Sequence, residues 1–151
     1  MLLLRIRALA AGLWAGMLLT IGGLAAPTLF AVLDRADAGR VAGRYFWLEA
    51  RISIALAVVL IVIERALVRR QEAGGTPTGA PPRQFTVELM LALGALLCTI
   101  VGFEVVQPLM EQARAGQGSW SFASLHAVSS SFFAARLVLV LILAWRCCGR
   151  R

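Results

Sequence analysis

Four stretches of the chain are apolar around their whole circumference: Ala8 to Leu33, Tyr45 to Ile63, Leu89 to Met110 and Phe122 to Trp145. A helix of a soluble bundle keeps one charged face for water, and no such face interrupts these windows. Each approaches or exceeds the roughly 20 residues with which an α-helix crosses about 30 Å of hydrocarbon. The pattern predicts an all-α, integral membrane four-helix transmembrane bundle, with residues 1–151 as one four-span membrane domain. Glu49, Arg51, Glu104 and Arg136 are the only charged residues inside the windows.

Between the second and third windows, Gly74-Gly75-Thr76-Pro77-Thr78-Gly79-Ala80-Pro81-Pro82 has too little apolar surface to pack, so residues 69–84 are expected to form a flexible link. The opposite loops, Asp34 to Arg44 and Glu111 to Ser121, are too short for a soluble domain. Four spans place both termini on one side. That side carries Arg5, Arg7, Arg65, Arg69, Arg70, Arg83, Arg146, Arg150 and Arg151, against Arg35, Arg40, Arg44 and Arg114 on the other. The positive-inside bias therefore predicts N-in/C-in, with both termini and the flexible link in the cytoplasm. Arg5 and Arg7 before an apolar run also resemble a secretory signal, but the run is longer than an h-region and Pro27 follows the small residues Ala25-Ala26. We read it as a retained first helix.

Lipid gives helices no hydrophobic reason to associate, so close approach falls to small residues. Gly12, Gly16, Thr20, Gly23 and Pro27 recur at helical spacing along the first span, Gly94, Cys98 and Gly102 along the third, and Ala127, Ser131 and Ala135 along the fourth. These stripes are expected to pack helices, a substrate groove being the competing use. Pro27 should kink its helix. Trp14, Trp47, Trp120 and Trp145 fall near window ends, where an aromatic belt would hold them.

Charges within a span are costly, which makes Glu49, Arg51, Glu104, Arg136 and the nearby His126 the candidate functional residues. Side chains lean toward their own helix N-terminus. Arg136 and Glu104, on helices of opposite direction, are therefore expected to converge, either as a structural pair or as part of a pathway. Glu49 and Arg51, two apart, point to different faces. Ser129, Ser130 and Ser131 extend the polar track from His126. A single His excludes bis-histidine haem ligation, and no Ser-His-Asp order is recognisable.

Composition adds less. With 60% hydrophobic and 15% charged residues and a mean hydropathy of +0.80, the chain is neither a soluble enzyme nor a disordered or disulfide-built protein. The net charge of +7 sits at span ends beside anionic headgroups, so the lipid bilayer, not nucleic acid, is the expected partner. All fifteen basic residues are Arg, a bias that suggests a bacterial inner membrane. Cys147 and Cys148 are weak candidates for a soft metal such as Cu(I) or for acylation, with an inert tail as the plainer reading. No cofactor is expected.

The stretch Ala26-Pro27-Thr28-Leu29-Phe30-Ala31-Val32-Leu33, followed by Ala38-Gly39-Arg40-Val41-Ala42-Gly43-Arg44-Tyr45-Phe46, resembles the transmembrane protein 205-like family, which carries domain of unknown function 4149. Leu125-His126-Ala127-Val128-Ser129 is similar to the start of that family's last helix. The resemblance extends over nearly the whole chain. It implies a four-helix membrane protein whose bacterial members have no assigned activity and whose animal member is associated with platinum-drug resistance. Pro27, Phe30, Gly39, Gly43, Phe46, His126 and Ser129 are the matching positions. A polar amide of the family's last helix has no counterpart in Phe132-Phe133-Ala134-Ala135, which are followed by Arg136.

Two functions follow as expectations, neither enzymatic. In one, the protein transports or handles metal species or small solutes through a polar pocket near the outer face, built from Glu104, Arg136, His126, Arg51, Glu49 and Ser129, and acts as a homo-oligomer. In the other it is an accessory or assembly subunit that binds a partner membrane protein, the buried charges serving only as structural pairs. A membrane enzyme centred on His126 ranks last.

Overall fold

The computed structural model describes residues 1–74 and 85–149. Its elements are α1 (Leu2–Leu19), α2 (Ala26–Val32), α3 (Arg35–Ala73), α4 (Val87–Thr99), α5 (Val106–Arg114) and α6 (Phe122–Gly149). Wide π-helical turns at Thr20–Ala25 and Ile100–Val105 join α1 to α2 and α4 to α5. Among the described residues there are four helices long and apolar enough to span a membrane: Leu2–Val32, Arg35–Ala73, Val87–Arg114 and Phe122–Gly149.

Every span outruns its apolar window. The Asp34–Arg44 loop expected from sequence is helical from Arg35, because the Asp34 carboxylate accepts the free N–H groups of Ala36 (3.0 Å) and Asp37 (2.9 Å) and caps α3 there. The expected 69–84 link is helical through Ala73, and its residues 75–84 lie outside the described residues. The Thr86 hydroxyl accepts from Leu89 N–H (3.1 Å) and starts α4. The Glu111–Ser121 loop is helical to Arg114 and then turns through Gly116 and Gly118, whose positive φ of 71° and 96° suits glycine.

The spans pack in a ring ordered α1, α3, α4, α6, each against two neighbours. The termini lie together at one end, here the terminal end; the α2–α3 and α5–α6 connections form the loop end. Arg7, Ala11, Trp14 and Leu18 form the inward stripe of α1. On α3 the stripe is Glu49, Ser53, Ala57, Leu60 and Glu64, on α4 Glu88, Ala92, Ala95 and Thr99, and on α6 Arg136, Val140, Leu143 and Cys147. All four stripes meet in one core.

Both wide turns precede a proline by a few residues. Pro27 and Pro108 lack an N–H, and their rings collide with the carbonyl four positions back. One extra residue in the preceding turn relieves that clash, so the expected break at Pro27 takes the form of a π turn followed by renewed helix. Each π turn presents a glycine to α6. A Cβ on Gly22 would come within 2.5 Å of the Phe133 ring, and one on Gly102 within 2.9 Å of Phe132 Cβ. Gly94 likewise meets Leu139, at 3.3 Å, so the third-span stripe does pack a helix.

The first-span stripe does not. Gly12, Gly16 and Gly23 are exposed and have no neighbour within 4 Å of a Cβ, because α1 turns the opposite face, with Trp14, inward. Trp14 is therefore a core residue and not a belt residue, while Trp120 and Trp145 are exposed as a belt would have them. Gly102→Ala should cost about 1–3 kcal/mol, since Phe132 Cβ is fixed to the α6 backbone. Gly12→Ala should stay within about 1 kcal/mol of wild type or stabilise slightly. Reversible unfolding of the purified protein in detergent compares the two.

Candidate functional site

Arg136, in the middle of α6, is buried within the bundle and needs a counter-charge. It reaches across the ring to α3, where its Nη2 donates to Glu49 Oε2 at 2.6 Å, with side-chain exposures of only 5% and 1%. Its Nη1 donates to Thr99 Oγ1 at 3.1 Å, and that hydroxyl donates to Ala95 O at 2.8 Å on α4. The other Glu49 oxygen accepts from Ser53, which in turn accepts from Trp14 Nε1 at 2.8 Å. The guanidinium also lies over the Phe133 ring, 5.1 Å from its centroid. One polar chain, Trp14–Ser53–Glu49–Arg136–Thr99, thus joins all four spans.

The expected convergence of Glu104 with Arg136 is corrected by this geometry. Direction around the helix decides the pairing, and it brings Arg136 to Glu49, which counting residues along the spans placed nearer the outer face. The buried stripe of α4 continues from Thr99 to Val106 and Met110, leaving Glu104 on another face. Glu104 accepts instead from Arg51 at 2.9 Å, a pair with side-chain exposures of 39% and 50%. Glu49 and Arg51 do diverge as their spacing required.

Two further pairs close the terminal end. Arg7 Nη1 donates to Glu64 Oε1 at 2.8 Å, with both side chains 4% exposed, and Arg146 Nε donates to Glu88 Oε1 at 3.1 Å. Sequence reasoning counted Arg7 and Arg146 only as headgroup-facing charges. The available signal was phase: Arg7 stands four residues before Ala11 and seven before Trp14, on the inward stripe.

At the loop end a groove of about 480 Å³ opens between the start of α3 and the region from Phe103 to Arg114. Gly39 and Gly43, one turn apart, face open space and leave its floor bare. Arg40, Arg44, Arg114, Trp47 and Glu104 are among its lining residues. Arg44 and Arg51 lie against the Trp47 ring, 4.5 Å and 5.6 Å from its centroid, while Arg40 pairs with Asp37. The groove therefore combines an aromatic wall with a rim of three arginines, Arg40, Arg44 and Arg114, that outnumber its two carboxylates, Glu104 and Glu111.

His126 and Arg136 do not join this groove. His126 is exposed and stacks on Phe122 with ring centroids 5.9 Å apart. The Ser129 hydroxyl donates to Gly102 O at 3.4 Å and ties α6 to the π turn. Ser131 donates to Ala127 O of its own helix, at 2.9 Å. Phe46 packs edge-on against Phe133 at 5.5 Å, whereas Pro27 and Phe30 are exposed. Cys147 is buried in the core and Cys148 is exposed, so the adjacent thiols point apart. Among the described residues no three His, Cys, Asp or Glu side chains stand together as a metal site.

A family described as a domain of unknown function, DUF4149, matches residues 9–119. The chain belongs to this family. The DUF4149 match takes in the Gly39–Gly43 floor, Trp14, Ser53, Glu49 and Thr99, and it ends before α6, so His126, Ser129 and Arg136 fall outside it. No curated protein and no solved structure matches the chain.

Glu49→Gln strands Arg136 in the interior and should cost about 3–5 kcal/mol of bundle stability. Glu104→Gln, in a half-exposed pair, should cost about 0–1 kcal/mol. Detergent-denaturant unfolding of the two variants side by side checks the contrast.

Proposed function

We propose that this DUF4149 protein binds small amphiphilic anions in the loop-end groove and handles them at the membrane surface, without conducting them along the axis of a single bundle. The observation that carries this reading is the bare Gly39–Gly43 floor beneath a rim of arginines and the Trp47 ring. The apolar part of a ligand would lie on Trp47 and Phe103, and its charged end would meet Arg40, Arg44 or Arg114. The burial of the Glu49–Arg136 pair supports surface handling over axial passage. His126, exposed beside Phe122, lies outside the groove and takes no part in this reading. The arginine excess of the terminal end supports N-in/C-in in a bacterial inner membrane, with the groove facing out. The narrower kinship with transmembrane protein 205-like proteins belongs to this same proposal.

The test uses 1-naphthalenesulfonate as probe and the ¹⁵N-indole resonance of Trp47 in nanodiscs as readout. Wild type should show a saturable shift at Trp47 and little at Trp145. Gly43→Leu, which fills the floor, should abolish it. No shift at millimolar probe, or an unchanged one in the variant, would overturn the reading.

A second reading has its own observation. The outward Gly12, Gly16 and Gly23 face on the first span is shaped for close approach of another helix, as an assembly subunit or homo-oligomer would use it. Gly16→Leu should then reduce the size of the native complex extracted from membranes, with unchanged stability of the isolated chain. A complex of unaltered size removes this reading.

A further inference from the structure

Arg7 is 3% exposed, and Glu64 satisfies only one of its three nitrogens. Its Nε and Nη2 are buried without a hydrogen-bond partner. Guanidinium donors left bare in a low-dielectric setting are expensive, since they forfeit water and gain nothing. The geometry of the two is informative. Nε and Nη2 share one edge of the planar group, the side-on fork that receives two oxygens of a phosphate at once. Arg7 itself lines a pocket of about 410 Å³ at the terminal end, together with Glu64, Thr86, Arg70, Leu4 and Leu67, and the unpartnered edge lies buried beside it.

Each neighbour has a part in the recognition. Glu64 holds Nη1 at 2.8 Å and fixes the plane of the guanidinium, and the Thr86 hydroxyl donates to the other Glu64 oxygen at 3.3 Å. Arg70, exposed on the last turns of α3, brings a second positive charge to a site where Glu64 already balances Arg7. Leu4 and Leu67 give the pocket an apolar flank. Pocket and span ends coincide, which is the depth at which lipid phosphates lie.

We propose that this pocket is a phosphate-binding site, in which a small side-chain shift turns the buried Nε–Nη2 edge of Arg7 onto a phosphate oxyanion and Arg70 screens its remaining charge. The proposal is independent of the loop-end groove, from which it is separated by most of the length of α3. A phospholipid headgroup and free phosphate share this chemistry.

The full chain in phosphate-free maltoside micelles is titrated with inorganic phosphate in one arm and dihexanoyl phosphatidylglycerol in the other, reading the Arg7 side-chain ¹⁵Nε resonance. Binding should shift that resonance saturably. Arg7→Lys retains the charge facing Glu64 but lacks the fork, and should weaken binding, read by calorimetry, roughly tenfold or more. Arg70→Gln, at an exposed position that leaves the core intact, should weaken it several-fold while the Arg7 resonance still moves. Gly43→Leu, which alters only the distant groove, should leave the phosphate-induced shift of the Arg7 resonance in place. Response to the lipid alone identifies a headgroup site, and an equal response to inorganic phosphate identifies a soluble anion site. No movement of the Arg7 resonance in either arm, or affinities untouched by both arginine variants, would sink the proposal.

Discussion

An arginine within the apolar core of a membrane bundle is tolerable only with its counter-charge in contact, and this fold is organised around meeting that demand. Arg136 finds Glu49 across the ring, and neither reaches water or lipid. Once the pair is in place, its remaining hydrogen-bonding capacity recruits Thr99, Ser53 and, through Ser53, Trp14. Register is thereby set for every span at one level. Sliding any helix by a turn would leave a buried charge or an indole N–H without a partner, at a cost of kcal/mol where water cannot compensate. The pairs at the terminal end repeat this constraint, since Arg7–Glu64 ties α1 to α3 and Arg146–Glu88 ties α6 to α4.

The prolines shape what the charges hold. Pro27 and Pro108 each displace a wide turn toward the preceding residues, and each turn carries a glycine that lets α6 approach at Phe132 and Phe133. These aromatic rings lie one turn from Arg136, and Phe133 contacts its guanidinium. Backbone irregularity near the loop end and charge pairing in the middle are therefore parts of one packing solution. Glu104 lies within the second wide turn, faces Arg51 and lines the groove.

The spans and their all-helical character were legible because hydropathy over some twenty residues is a strong, local signal. Helix ends were not, because Asp34 and Thr86 begin helices outside the hydrocarbon, where hydropathy carries no information. The candidate charges were chosen well from their cost alone, yet their partners were misassigned for Arg136 and Glu104. Depth follows from counting residues, whereas facing direction follows from the phase of each buried stripe. On α3, Glu49 is in phase with Ser53, Ala57, Leu60 and Glu64, and Arg51 is not. The glycine stripe of the first span misled for the complementary reason: small residues permit close packing, but only the Arg7, Ala11, Trp14 and Leu18 series shows which side is inside.

The length of α3 has a mechanical side. Its 39 residues make a rod of roughly 58 Å at about 1.5 Å per residue, close to twice the hydrocarbon thickness of about 30 Å. Neither a proline nor a π turn divides it. Gly43 on the groove floor and Glu64 beside Arg7 are therefore fixed to one unbroken lever, roughly 32 Å apart along its axis. Tilting that lever about its middle by even a few degrees swings its two ends in opposite directions, by an ångström or so each. As long as α3 moves as one rod, a displacement of the groove floor is matched by an opposite displacement beside Arg7.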